Sequence, residues 1–312
     1  MGSRFSKRPA VSHTAGRSLL LADGPWEHLT VNAAGADFHL AASGPIGGEP
    51  IILLHPYPRT WYAWHRVLPA LGEAGYRAFS MDLRGFGTSD LQPYGQDPLR
   101  MSADVAAVIS SLGYPSAHIG GAGLGGTLGW ILAATHPEIV DSFVTVAAPH
   151  PLSIHGTWPF PTTRAGRAVA RTRLPWLNIR ALRSGALIKQ TTAAWAAPSN
   201  IDKVARNHRV YAYAFSRPYA ARLALKAIIR ANALTAHTRK RIDTIIQQPV
   251  TAIIGQADPL RPPATFLRDQ QWVHPPITSH LVPGSGHFVT EEAPDVVTDH
   301  LIAHLTEHST RQ

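Results

Sequence analysis

The residues best placed to do chemistry meet in one stretch, 116–130, which reads SAHIGGAGLGGTLGW. Its first half is short and apolar, as a buried strand requires, and the glycines lead straight into a helical pattern. A strand, a turn of form G-x-nucleophile-x-G and a helix lift one side chain onto a helix N-terminus, where backbone amides can stabilise developing charge. Gly121, Gly123 and Gly125 hold the three key positions. The residue expected to attack is therefore Gly123, which has no side chain. What the turn still offers is the amide of Leu124 and the positive end of the helix dipole, both favourable to an anion or a polarised oxygen.

The same letters support a rival. Gly121, Gly123 and Gly126 spell G-x-G-x-x-G between a strand and a helix, the fingerprint of a dinucleotide-binding turn. That reading asks for an acidic residue at the end of the next strand, and FVTVAAP at 143–149 ends without one. It stays as the lower alternative, and no cofactor is expected.

The elements that must position this turn alternate along the chain. Two strands of a hairpin are predicted at 27–32 and 37–42, and strands at 51–55, 77–83, 143–149, 250–254 and 279–282. Helices are predicted at 61–74, 101–112, from the turn to 135, and at 293–305. Such alternation implies an α/β fold with a mostly parallel, doubly wound sheet. From 151 to 230 the alternation gives way to helices broken by prolines, which reads as an inserted helical cap over the sheet's carboxyl edge, where ligands bind in such folds. The expected division is a basic mobile tail at 1–25, a core at 26–150 and 231–312, and the cap between.

Composition sets outer limits. The chain has 312 residues, no cysteine and a net charge of +9. Nothing depends on disulfides, and no apolar run approaches the roughly 18 residues of a membrane span. A cytoplasmic protein, peripheral at most, is expected. The start, MGSRFS, matches the myristoylation pattern only formally. Charge is uneven: 17 of the 29 Lys and Arg lie between Pro151 and Arg241, against one acid, Asp202. Arg164, Arg167 and Arg171 share a helical face flanked by Trp158, Phe160, Leu174 and Trp176, which suits an anionic membrane surface. A solvated arginine face is the plainer alternative, and no nucleic-acid module accompanies the charge.

A resemblance then covers nearly the whole chain. HPYPRTWYAWHRVLPAL, MDLRGFGTSD, the glycine turn, VAAPHP, RLPWL, GQADPLRP and GSGHF occur in that order. Together they resemble the epoxide-hydrolase branch of the α/β-hydrolase fold. The resemblance implies that Asp258 is the acid and His287 the histidine of a catalytic triad, in this fold's usual chain order after the nucleophile position at Gly123. Asp258 follows an apolar strand and would orient one ring nitrogen of His287, leaving the other as base.

The sequence also departs from that family. Gly123 cannot form the expected ester, and Ala122 replaces the histidine that commonly precedes the nucleophile. The oxyanion loop reads His55-Pro56-Tyr57-Pro58, where Pro56 fixes φ in place of the flexible glycine. The cap stretch that should carry a proton-donating tyrosine reads Ile228-Ile229-Arg230-Ala231, without a hydroxyl. The amides of Tyr57 and Leu124 remain as oxyanion donors, with His55 and Trp61 beside them at the ligand site. Tyr57, Trp61, Tyr62 and Trp64 form either one wall of an apolar pocket or simply core. Ser285 reads as a loop hydroxyl, and His65 and His150 have no metal-ligand spacing.

Two functions follow as expectations. One is a hydrolase, lyase or cyclase acting on an apolar or amphiphilic small molecule through Asp258 and His287 without a covalent intermediate. The other is a catalytically inactive protein that binds a ligand or partner in the inherited pocket.

Overall fold

The computed structural model describes residues 18–154, 167 and 175–309. The myristoylation-like start therefore lies outside the described residues, as do Arg164, Arg171, Trp158, Phe160 and Leu174. Eight strands form one sheet in the order β1-β2-β4-β3-β5-β6-β7-β8. They are β1 (Glu27–Ala33), β2 (Ala36–Ser43), β3 (Pro50–Leu54), β4 (Arg77–Met81), β5 (Ala117–Ala122), β6 (Val140–Val146), β7 (Val250–Gly255) and β8 (Thr278–Val282). The first two pair antiparallel, as does β2 with β4, and every later pairing is parallel.

The central strands are apolar on both faces because helices cover both. Along β3, Ile52 and Leu54 point into one core with Phe79, Ile119, Leu128 and Trp130, while Ile51 and Leu53 point into the other with Val144, Ile253 and Leu301. The first core is closed by α2 (Pro98–Ser111) and α3 (Leu124–Thr135), the second by α1 (Leu68–Glu73) and the terminal helix Pro294–Glu307. Full burial of such side chains is worth about 1.5–3 kcal/mol each, so register in these strands is strongly enforced.

Several boundaries differ from expectation, each for a local reason. The helix predicted at 61–74 splits into a 3₁₀ turn, Trp61–Trp64, and α1. Pro69 is tolerated only in a helix's first turn, so a new helix begins at Leu68. The strand predicted to reach 83 stops at Met81, because Asp82 turns aside: Oδ1 accepts the Trp61 amide and Oδ2 the Thr88 amide. Part of the expected tail is anchored, since Leu20 is buried and its carbonyl accepts from the Trp61 indole.

Between β6 and β7 the described residues form helices α4 (Pro175–Arg183), α5 (Ala186–Trp195), α6 (Ile201–Ala205), α7 (His208–Ser216), α8 (Ala220–Asn232) and α9 (Ala236–Ile242). Helical structure thus continues past the expected boundary at 230. Two adjacent glutamates clasp this insertion to the body. Glu291 accepts from Arg59 at 2.7 Å, from Asn207 at 2.8 Å and from the Tyr211 hydroxyl at 3.0 Å. Glu292 accepts from the amides of Ala197, Gly286 and Phe288. No helix among the described residues is long and apolar enough to cross a membrane.

Candidate functional site

The turn from β5 into α3 holds Gly123 at φ +50°, ψ −111°, a conformation that residues with a Cβ rarely adopt. Its amide donates to the Val146 carbonyl at 3.0 Å, and the Gly125 amide donates to the His55 carbonyl at 3.1 Å. The helix starts so close to β3 that a Cβ on Gly125 would stand 2.2 Å from the Leu54 carbonyl oxygen. At Gly123 a Cβ would meet Pro56 Cβ at 3.0 Å and His287 Nε2 at 3.5 Å. A side chain there would face the histidine directly.

His287 is held from behind. Its Nδ1–H donates to Asp258 Oδ2 at 2.8 Å, which leaves Nε2 aimed at Gly123. The other Asp258 oxygen accepts the amides of Leu260 and Arg261 at 2.8 and 2.9 Å, so the buried carboxylate is fully engaged. Three bonds fix the histidine loop itself. The His287 amide donates to the Trp195 carbonyl, and Glu292 grips the amides on either side, at Gly286 and Phe288. Burial pushes the Glu292 carboxyl upward, and those bonds oppose it.

Above the turn lies a narrow cavity of about 60 Å³, room for a handful of waters. The sheet edge contributes Gly123, Leu124, Ala148 and His287; the insertion contributes Trp195, Ile228 and Asn232; the loops contribute Tyr57 and Arg261. Among the described residues the buried Tyr57 hydroxyl has no hydrogen-bond partner, and desolvation raises its pKa, so it remains a donor at neutral pH. No hydrogen bond among the described residues occupies the amides of Tyr57 and Leu124, which border the same space.

Two residues expected at the ligand site face elsewhere. His55 spends both nitrogens on structure, Nδ1–H donating to the Pro56 carbonyl and Nε2 accepting the Leu83 amide. Complete burial holds its pKa below the ordinary imidazole value. Trp61 is core: its ring packs edge-on against Trp26, His28 and His39. Tyr62 stacks on His65, and neither lines the cavity. The Ser285 hydroxyl is buried beside the histidine loop and also lies outside the lining. His150 stacks on Trp272. A Cβ at Gly126 would meet Ala148 Cβ at 2.4 Å, so the third glycine of the G-x-G-x-x-G pattern serves close packing of α3, and β6 ends at Val146 without the acidic residue that a dinucleotide turn asks for.

Three features escaped the sequence reading. Arg261 sits three residues beyond Asp258, and the turn that Asp258 closes brings it to the cavity. Asn232 reaches the cavity at the end of α8. Glu291 and Glu292 looked like ordinary acids in a helix start. Only the Arg261 position carried a usable signal, a cation within the motif GQADPLRP.

The chain matches the alpha/beta hydrolase fold family over residues 49–294. It is 28% identical to epoxide hydrolase 3 of Xenopus tropicalis over 285 residues, covering 88% of this chain and 76% of that protein. It is 36% identical to the AB hydrolase superfamily protein YfhM of Bacillus subtilis over 124 residues, 39% of this chain and 43% of that one. The structure is similar to epoxide hydrolase A of Mycobacterium thermoresistibile, with a TM-score of 0.73 at 22% identity over 90% of this chain and 98% of that one.

Proposed function

This chain belongs to the α/β-hydrolase fold family, and on that premise we propose that it adds water to a small polarised electrophile, an epoxide or ester, without a covalent enzyme intermediate. The observation that carries the reading is His287 Nε2, 3.5 Å from where a Gly123 side chain would begin, with Nδ1 tied to Asp258. An attacking carboxylate is absent there, and the space left by it suits a water molecule within reach of the base. In the proposed step the water O–H bond breaks toward His287 Nε2 and its oxygen bonds to the electrophilic carbon. The carbon–oxygen bond of the epoxide, or the carbonyl π bond, opens toward oxygen in the same step. The amides of Tyr57 and Leu124 and the Tyr57 hydroxyl receive that oxyanion; for an epoxide, protonated His287 returns its proton to the opened alkoxide, and for an ester the carbonyl reforms as the C–O bond to the alcohol breaks and His287 protonates the leaving alkoxide. That the relatives are named epoxide hydrolases supports the choice of electrophile.

A single-turnover reaction in ¹⁸O-water tests this over a panel of small epoxides and esters. Label should enter the product in the first turnover, and intact mass should show no protein adduct. His287→Ala should abolish turnover, and Asp258→Asn should lower kcat by about 10⁴-fold through the wrong tautomer. An adduct on residues 121–126, or parent-like turnover by His287→Ala, would overturn the mechanism. If no compound in the panel turns over, the non-catalytic pocket becomes the better reading.

The insertion's partner is proposed to be an anionic lipid surface. Support comes from the described end of the basic segment, where Trp176 is 70% and Leu177 43% exposed on the helix that ends in Arg180 and Arg183.

A further inference from the structure

Among the described residues the buried arginines come with acids, and the half-buried Arg261 does not. Arg59 pairs with Glu291, Arg84 with Asp104 and Arg77 with Glu27. Arg261 makes one side-chain hydrogen bond, from Nη1 to the carbonyl of its neighbour Leu260 at 3.2 Å, and no ion pair. All 20 Asp and Glu of the chain lie among the described residues, so no other side chain of this chain is left to pair with it. The side chain is partly accessible, while its charge is surrounded by protein. Desolvation there lowers its pKa, and the field of Asp258 opposes that shift. Holding an uncompensated cation at such a place costs free energy that the fold does not recover internally.

The position of this charge gives it a use. Arg261 lines the same cavity as His287 and the Leu124 end of α3. Beside it, among the described residues, the Tyr57 hydroxyl is buried and unpartnered, and Asn232 lines the same cavity. A guanidinium offers paired donors in a plane, the match for a carboxylate. A dianionic phosphate would leave one charge uncompensated near Asp258, which disfavours it.

We propose that Arg261 is a substrate-binding residue and that the substrate of this site carries a carboxylate, held by the guanidinium with Asn232 and Tyr57 as further donors. The inference rests on the proposed function only in taking this cavity as the substrate site. It makes the substrate a small electrophile bearing an anionic end, which narrows the apolar or amphiphilic molecule expected from sequence to the amphiphilic kind.

Calorimetric titration of the full chain with butanoate and with butanamide, which differ in charge at nearly constant shape, tests it. The parent should bind butanoate at least about tenfold more tightly, as charge-assisted bonds to an arginine imply. Arg261→Met should bring the two ligands within about twofold, and Arg261→Lys should retain part of the preference. His287→Gln should keep the preference, and so should the parent at pH 9, where an arginine is still charged and an imidazole is not. Equal binding of acid and amide by the parent overturns the inference without need of a variant. Loss of the preference at pH 9 or in His287→Gln assigns the anion to the histidine and overturns it too. Turnover of uncharged epoxides without butanoate preference would leave the proposed function standing while the carboxylate fails. Preference without turnover gives the opposite result.

Discussion

At Gly123 the chain occupies φ +50°, ψ −111°, so the turn tolerates glycine for backbone reasons as well as for space. Gly123→Asp replaces the missing attacking group and should cost about 1–3 kcal/mol from the dihedral alone, with Pro56 Cβ at 3.0 Å adding contact strain. The variant is expected to fold with a lower Tm and to form an ester with a small epoxide, visible by intact mass. A folded variant that never acquires the adduct would show that Pro56 disables the oxyanion loop as well. The same neighbourhood explains why Asp258 and His287 act as a unit. Both oxygens of the carboxylate are held, one by two amides and the other by the imidazole.

Among elements, the clasp at 291–292 joins three parts that the sequence keeps far apart: the histidine loop, the Arg59 loop and the insertion helices α6 and α7. Removing one partner of a buried ion pair costs about 3–5 kcal/mol because the other charge is stranded. Helix α4 belongs to the opposite extreme, with exposed Trp176 and Leu177 beside Arg180 and Arg183. Each basic residue near an anionic leaflet contributes about 1 kcal/mol, attenuated by salt over about 10 Å at 0.1 M. The full chain should therefore co-sediment with vesicles containing anionic lipid at low salt and less at high salt. It should bind neutral vesicles poorly. Trp176→Ser with Arg180→Glu and Arg183→Glu should weaken binding severalfold. Equal binding to neutral and anionic vesicles, or none at low salt, rejects the lipid partner.

For the whole molecule, buried histidines set the response to acid. His150 and His304 are both held down to about 3 by desolvation. Between about 6.5 and 3 the unfolded chain binds protons that the fold refuses, so stability falls as pH drops through that window. Asp269 works the other way. Desolvation raises it to about 7, against bonds from Ser153 and His150, so its contribution is lost as pH rises from about 4 to 7. Two histidines outweigh one carboxylate, and the lowered values of His28, His55, His65, His208 and His300 add to the same side. Denaturant unfolding should show greatest stability near pH 6–7 and a loss of several kcal/mol by about pH 4. His150→Gln with His304→Gln should flatten that slope; stability that rises on acidification would contradict the assignment.

The sequence by itself determined the sheet, the helical character of the insertion and the glycine turn, because these rest on local patterns. Apolar runs make buried strands, and a turn pressed against β3 admits only glycine at 125. Its resemblance to the epoxide-hydrolase branch also pointed to Asp258 and His287, through the motifs GQADPLRP and GSGHF. Other decisions needed the tertiary structure. Trp61 and His55 became core and strut, Arg261 came to line the cavity, and Glu291 and Glu292 became the clasp. The reason is physical: a polar side chain's role depends on which groups meet it across the fold. Arg59 and Glu291 are 232 positions apart in the chain and 2.7 Å apart in space, and no local pattern encodes that meeting.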